Sequence, residues 1–107
     1  MTNPLLVIFS SGRNSDHTIA GLELLHNLSG RKRVMVLLTQ DAVLLALKSR
    51  SGASDAFGGV SEAYVLADHL AKRGFGQDSL VEPFKVLNYD QAVDLMMADG
   101  ISIAGSF

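Results

Sequence analysis

The 107 residues include no cysteine and no tryptophan, only two prolines, and charged side chains at just 19% of positions. Without a thiol the chain forms no disulfide and offers no cysteine ligand to zinc or an iron–sulfur cluster. The absence also excludes any thiolate or persulfide chemistry by this chain itself. Aromatic residues at 7%, with no tryptophan, leave few rings to sandwich a flavin, so a flavin carrier is the weakest reading. The charged fraction lies below the roughly 25% of an average soluble domain. The hydrophobic fraction of 48% excludes intrinsic disorder, which requires low hydrophobicity and high net charge. Nine Lys and Arg against eleven Asp and Glu give a formal charge of −2, without the basic excess of a dedicated nucleic-acid binder.

Long apolar runs are also lacking. Met1-Thr2-Asn3-Pro4 has no positive charge, Leu5–Phe9 is too short for a signal peptide or membrane span, and Thr39-Gln40-Asp41 interrupts the apolar stretch Val34–Leu47. The expectation is one cytoplasmic domain over residues 1–107, with no membrane or direct nucleic-acid partner. Its low charge favours burial against another subunit.

What is present is an alternation of strand-length apolar runs with helical patterns. Leu5–Phe9, Val34–Leu38, Glu62–Leu66 and Phe84–Leu87 read as strands, and Ile101-Ser102-Ile103 as a fifth. Continuous apolar runs such as Leu5–Phe9 suit strands covered on both faces. Between them, Ser15 or Asp16 caps a helix carrying Ile19, Leu22, Leu25 and Leu28, with Gly30 as its stop. Asp41 caps a short helix through Leu47, and Asp68–Arg73 forms another closed by Gly74. Asp90 caps a last one bearing Val93, Met96 and Met97, which Gly100 ends. The alternation predicts an α/β fold: a three-layer sandwich around a mainly parallel five-stranded sheet of flavodoxin/Rossmann-like type. The Gly/Ser-rich segment 49–61 reads as a mobile loop. Arg31-Lys32-Arg33 reads as a solvated turn.

In an open parallel sheet, ligands bind beyond the carboxyl ends of the strands. The residues expected at that crevice are Ser10 and Ser11 after the first strand, Gln40 and Asp41 after the second, and Asp68 and His69 after the third. As helix N-caps, Asp41, Asp68 and Asp90 accept backbone N–H bonds. As a catalytic carboxylate cluster they would need a nucleophile or metal, and the sequence supplies no evident one. His17 and His26 fall on the first helix, so His69 is the histidine with a functional placement. The loop from Ser10 to Asp16 has hydroxyls that could hold a phosphate at a helix N-terminus, though it follows neither dinucleotide nor Walker spacing. A receiver-type phosphoacceptor would need paired acids where Ser10-Ser11 stands.

Ala42-Val43-Leu44-Leu45-Ala46-Leu47 is apolar on all sides, and such a helix must be buried on more than one. If the sheet covers one side, a neighbouring subunit covers the other, through Val43, Leu44 and Leu47.

The run Tyr64-Val65-Leu66-Ala67-Asp68-His69-Leu70-Ala71-Lys72-Arg73-Gly74-Phe75 resembles the TusB/DsrH family of sulfur-relay proteins. Three other stretches fit in order: Ser10 to Leu25, Leu37-Leu38-Thr39-Gln40-Asp41-Ala42-Val43, and Val86-Leu87-Asn88-Tyr89-Asp90-Gln91-Ala92-Val93-Asp94-Leu95. The resemblance implies a DsrE-like fold and a non-catalytic, cofactor-free subunit of an intracellular sulfur-relay complex. Its partners would be cysteine-bearing DsrE/TusD-like and DsrF/TusC-like subunits, passing persulfide sulfur towards tRNA wobble 2-thiouridine or within dissimilatory sulfur oxidation. Some DsrH-type relatives carry a cysteine on the first helix, where this chain has Gly21-Leu22-Glu23. The active cysteine of the DsrE/TusD subunit would fall near Leu66. The family also favours Asp-Gly at the second turn, and here it is Asp41-Ala42. The alternative is a stand-alone homo-oligomeric DsrE-like domain that binds a small anion or nucleotide.

Overall fold

The computed structural model describes residues 4–12, 15–28, 33–48, 57, 60, 62–81, 84–98 and 100–107. Strands β1 (Leu5–Phe9), β2 (Val34–Leu38), β3 (Glu62–Leu66), β4 (Phe84–Leu87) and β5 (Ser102–Ser106) form one sheet in the order β4-β3-β2-β1-β5. All four pairings are parallel. Helices α1 (Asp16–Leu28), α2 (Ala67–Lys72) and α3 (Tyr89–Met97) connect them, with 3-10 helices at Gln40–Ala46 and Gln77–Ser79.

The strand order dictates which face each connection covers. From β1 to β4 the chain steps in one direction, then returns across the sheet to place β5 beyond β1. Right-handed crossovers therefore put the first three connections on one face and α3 on the other. The buried residues divide accordingly. Val7, Phe9, Val34, Val36, Leu38, Ala63, Val65 and Phe84 point to the side holding Leu25 of α1, Val43 of the first 3-10 helix and Leu70 of α2. Leu6, Met35, Leu37 and Leu66 point the other way, towards Ala92 of α3.

Three expectations change. The fifth strand begins at Ser102 and runs on to Ser106, rather than spanning Ile101–Ile103. As an edge strand exposed along most of its length, it needs no apolar run. Its register shifts beside Ala104, with Ile103 opposite Leu6 and Gly105 opposite Val7. Phe107, whose N–H bonds the Ile8 carbonyl at 2.7 Å, then stacks beside Phe9.

The Ala42–Leu47 segment needs no second subunit to bury it. It winds as a 3-10 helix, and its end pairs with the strand-like turn at Leu80. Ala42, Val43, Ala46 and Leu47 are all sealed inside the chain's own core, so Val43 and Leu47 are interior residues; Leu44 alone of the expected interface trio is half-exposed.

Most of the 49–61 segment lies outside the described residues. Phe57 within it does not behave as a mobile tip: it is 1% exposed and wedged edge-on between Phe9 and Phe84. Elsewhere, the Gln77 side chain bonds both Phe84 O and Val86 N and so occupies the free edge of β4.

Candidate functional site

The carboxyl ends of β1, β2 and β3 meet in two differently built junctions. At the first, Thr18 of α1 is fully buried and its hydroxyl lies 3.0 Å from the Ser11 carbonyl and 2.6 Å from that of Gly12. The Ser15 N–H bonds Gly12 O, and the Ser15 hydroxyl accepts the His17 N–H at 3.2 Å, making Ser15 the helix cap. A loop with these amides already bonded has fewer left to hold a phosphate. Ser10 and Ser11 stand at its rim, half-buried.

The second junction joins β2 to α2. Thr39 bonds back to the Phe9 carbonyl through both its N–H (2.8 Å) and its hydroxyl (3.1 Å), fixing where the chain leaves the sheet. The next residue, Gln40, takes φ of +51°, a left-handed conformation that costs a non-glycine residue roughly 1–2 kcal/mol. Its amide N–H donates to His69 Nδ1 at 2.7 Å, a hydrogen bond whose net worth of about 1 kcal/mol offsets much of that strain. Arg73, just past α2, completes the junction. One of its nitrogens bonds the His69 carbonyl at 2.9 Å and the other the Asp41 carboxylate at 2.8 Å. With Asp41 69% exposed, the ion pair contributes less than about 1 kcal/mol and matters for geometry more than for stability. A Cβ built on Gly12 would lie 3.9 Å from that of Asp41, so the two junctions adjoin.

The structure therefore brings Gln40, Asp41 and His69 together, with Ser10 and Ser11 on the neighbouring strand end. The expected capping roles of the aspartates are corrected. The 3-10 helix starts from Thr39, α2 from Leu66, neither with a side-chain cap, and Asp41 pairs with Arg73 instead. The Asp68 side chain is exposed and bonds to nothing among the described residues. Helix α3 is capped by Asn88, which accepts the Gln91 N–H while the Gln91 side chain accepts that of Asn88; Asp90 merely sits in the first turn. The positive φ that the missing glycine of Asp41-Ala42 brings to mind occurs one residue before the pair, at Gln40. Arg73 was missed by sequence reasoning, since an arginine ending a helix reads as an ordinary C-terminal residue.

The resemblance implies a thiol in relatives within the stretch Gly21-Leu22-Glu23 and near Leu66. Of these places, Gly21 and Leu66 are closed in this chain, whereas Glu23 is exposed. A Cβ on Gly21 would collide with the Phe9 ring and lie 2.8 Å from Phe107 Cγ, so α1 has no room there for any side chain. Leu66 is buried in the core beneath α3. Among the described residues no group of three or more His, Cys, Asp or Glu could hold a metal. Nor is any described helix long and apolar enough to cross a membrane. A shallow groove of about 500 Å³ on the outer face of α1, lined by Ile19, Leu22, Glu23, His26 and Asn27, contains none of the crevice residues.

Comparison with known proteins agrees with this architecture. No curated protein matches the sequence. The crystal structure of the ychN protein from E. coli superposes with a TM-score of 0.77 at 13% identity, covering 100% of each chain. A protein of unknown function from Methanobacterium thermoautotrophicum, MTH1491, gives 0.75 at 15% identity, covering 98% of this chain and 99% of its own. At such identities the likeness is one of fold. The sequence itself matches the model of the DsrH-like proteins over residues 15–100, a stretch that holds both junctions' helices and all of Gln40, Asp41, His69 and Arg73. The chain thus belongs to the DsrH-like family, a membership that supports a role related to sulfur relay.

Proposed function

We propose that this chain is the non-catalytic, TusB/DsrH-like subunit of an intracellular sulfur-relay complex. It works beside cysteine-bearing DsrE/TusD-like and DsrF/TusC-like subunits and helps shape the crevice around a partner's cysteine. The observation that carries the reading is a DsrH-like chain of 107 residues with no cysteine. Only a thiolate attacks and holds sulfane sulfur, so in such a relay the covalent step belongs to a partner. The complex would serve tRNA wobble 2-thiouridine synthesis or dissimilatory sulfur oxidation. A stand-alone homo-oligomer binding a small anion is less favoured, because the Ser15 and His17 amides at the start of α1 are already bonded within the chain.

The test is purification from the native cell with identification of bound proteins, followed by incubation of each with a radiolabelled sulfane donor. Cysteine-bearing relatives should co-purify and take up label, and this chain should stay unlabelled. Stable label on this chain, or a homo-oligomer with no partner, would overturn the proposal.

A further inference from the structure

We propose that His69 is a fixed hydrogen-bond donor at the carboxyl edge, presenting its Nε2–H to a thiolate or persulfide sulfur on the partner's cysteine, with Arg73 as its positioning residue. The inference rests on the relay reading above and names the group through which this subunit would touch the sulfur.

A neutral imidazole has one protonated and one unprotonated nitrogen. Nδ1 accepts the Gln40 N–H, so it presents its lone pair and the ring proton resides on Nε2. Nε2 makes no hydrogen bond among the described residues. His69 is only partly exposed, yet among the described residues no buried side-chain nitrogen or oxygen lacks a partner, so Nε2 reaches solvent. The ring therefore offers an N–H outward and not a lone pair, which suits an acceptor and excludes a metal cation in this tautomer.

Arg73 sets the ring's position. Its guanidinium spans from the His69 carbonyl to the carboxylate of Asp41, the residue following Gln40, and so holds together the two backbone segments that the Gln40–His69 bond connects. The same contact answers the charge of Asp41, which would otherwise repel an anion. Asp68 and Lys72, both exposed on α2, carry opposite charges on either side of His69 in sequence. A sulfur anion gains most from such a donor, because hydrogen bonds to a charged acceptor are about twice as strong as those between neutral groups.

The test has a spectroscopic arm and a transfer arm, both with the full chain. In the isotopically labelled chain, a coupling across the hydrogen bond between the Gln40 amide nitrogen and His69 Nδ1 should be seen. It should be lost in Arg73→Ala, together with protection of the Gln40 amide from exchange. In the complex reconstituted with the persulfidated DsrE/TusD-like partner, His69→Asn keeps an acceptor at the Nδ1 position and removes the outward donor. It should slow transfer about tenfold, as expected for one hydrogen bond to a charged group, while Gln40 stays protected. His69→Gln, whose amide reaches the Nε2 position, should restore most of the rate.

Transfer by His69→Asn at the unmodified rate would overturn the donor role. Absence of the coupling in the unmodified chain would overturn the latch, and a coupling that persists in Arg73→Ala would remove Arg73 from it. Transfer that runs equally well with this chain omitted would overturn the relay reading itself, and the Gln40–His69 coupling would be unaffected by that failure.

Discussion

The two faces of the sheet are covered unequally. One carries α1, α2 and the Gln40–Ala46 3-10 helix, together with a cluster from Val7 to Phe84 in which three phenylalanine rings, at 57, 9 and 84, meet edge to face. Among the described residues, the other carries α3 alone, over a small cluster of Leu6, Met35, Leu37, Leu66 and Ala92. The most exposed large apolar side chains, Tyr89 and Met97, belong to α3, while Ile19 of α1 and Phe75 past α2 are exposed to a lesser degree. Ile103 of β5 shares the register position of Leu6, on the same face. The difference follows from topology. Three crossovers share one face and one takes the other, so a chain this short seals one side and leaves its partner thin. Apolar composition that the sequence suggests for subunit contact at Val43 and Leu47 is consumed on the thick side.

The two faces should therefore respond differently to similar insults. Phe57→Ala strikes the thick side at the centre of its ring cluster and should cost about 4 kcal/mol, the usual range for a buried Phe truncation. Urea unfolding at neutral pH would measure it; a loss below about 1 kcal/mol would show that the ring does not hold that face together. On the thin side, the stability of α3 leans on its ends more than on its packing. Asn88→Ala removes the side-chain half of the capping box, the acceptor of the Gln91 N–H, and should cost about 1 kcal/mol. The loss should appear first as faster amide exchange at Gln91, ahead of any change in the thick core; uniform loosening of both faces would contradict the division.

The same contrast explains what the sequence makes legible. The bounds of β1 and β2 are readable to the residue, because strands buried on both faces need unbroken apolar runs; those of β3 and β4 are readable from shorter apolar stretches that Glu62 opens and Lys85 interrupts. The bounds of β5 are not, because an edge strand made of Ser, Ile, Ala and Gly carries no such mark, and its register depends on Phe107 docking on Phe9. Capping residues were misassigned for a related reason. Asp41, Asp68 and Asp90 all have the chemistry of a cap, and only backbone geometry reveals that Thr39, Leu66 and Asn88 hold the cap positions. Strand-end logic did bring Gln40, Asp41 and His69 to one place. It could not supply Arg73, since its contact with Asp41 joins residues 32 positions apart and rests on no local pattern.

Tyr64 provides the smallest and most selective test. Its phenol lies against the thin-side cluster, where burial raises its pKa above the ordinary value of 10.0; Glu62 pushes in the same direction and Arg33 opposes them. Arg33 and Glu62 are themselves paired at 2.9 Å, which leaves burial as the leading cause. An acid whose folded pKa is raised holds its proton longer in the folded chain than in the unfolded one. Its contribution to stability is therefore complete below about pH 10 and is lost as pH rises through the higher folded value. Stability measured by urea unfolding should fall across that alkaline window, and Tyr64→Phe, which cannot titrate, should flatten part of the slope while leaving the neutral-pH midpoint almost unchanged. Covering the thin face deepens the burial of this phenol. A bound partner seated there would move the onset of the alkaline loss to higher pH, and one seated at the crevice alone would leave it where it is. An unmodified slope in Tyr64→Phe would mean that the phenol is as free in the folded chain as in the unfolded one, and that the thin face gives it no shelter.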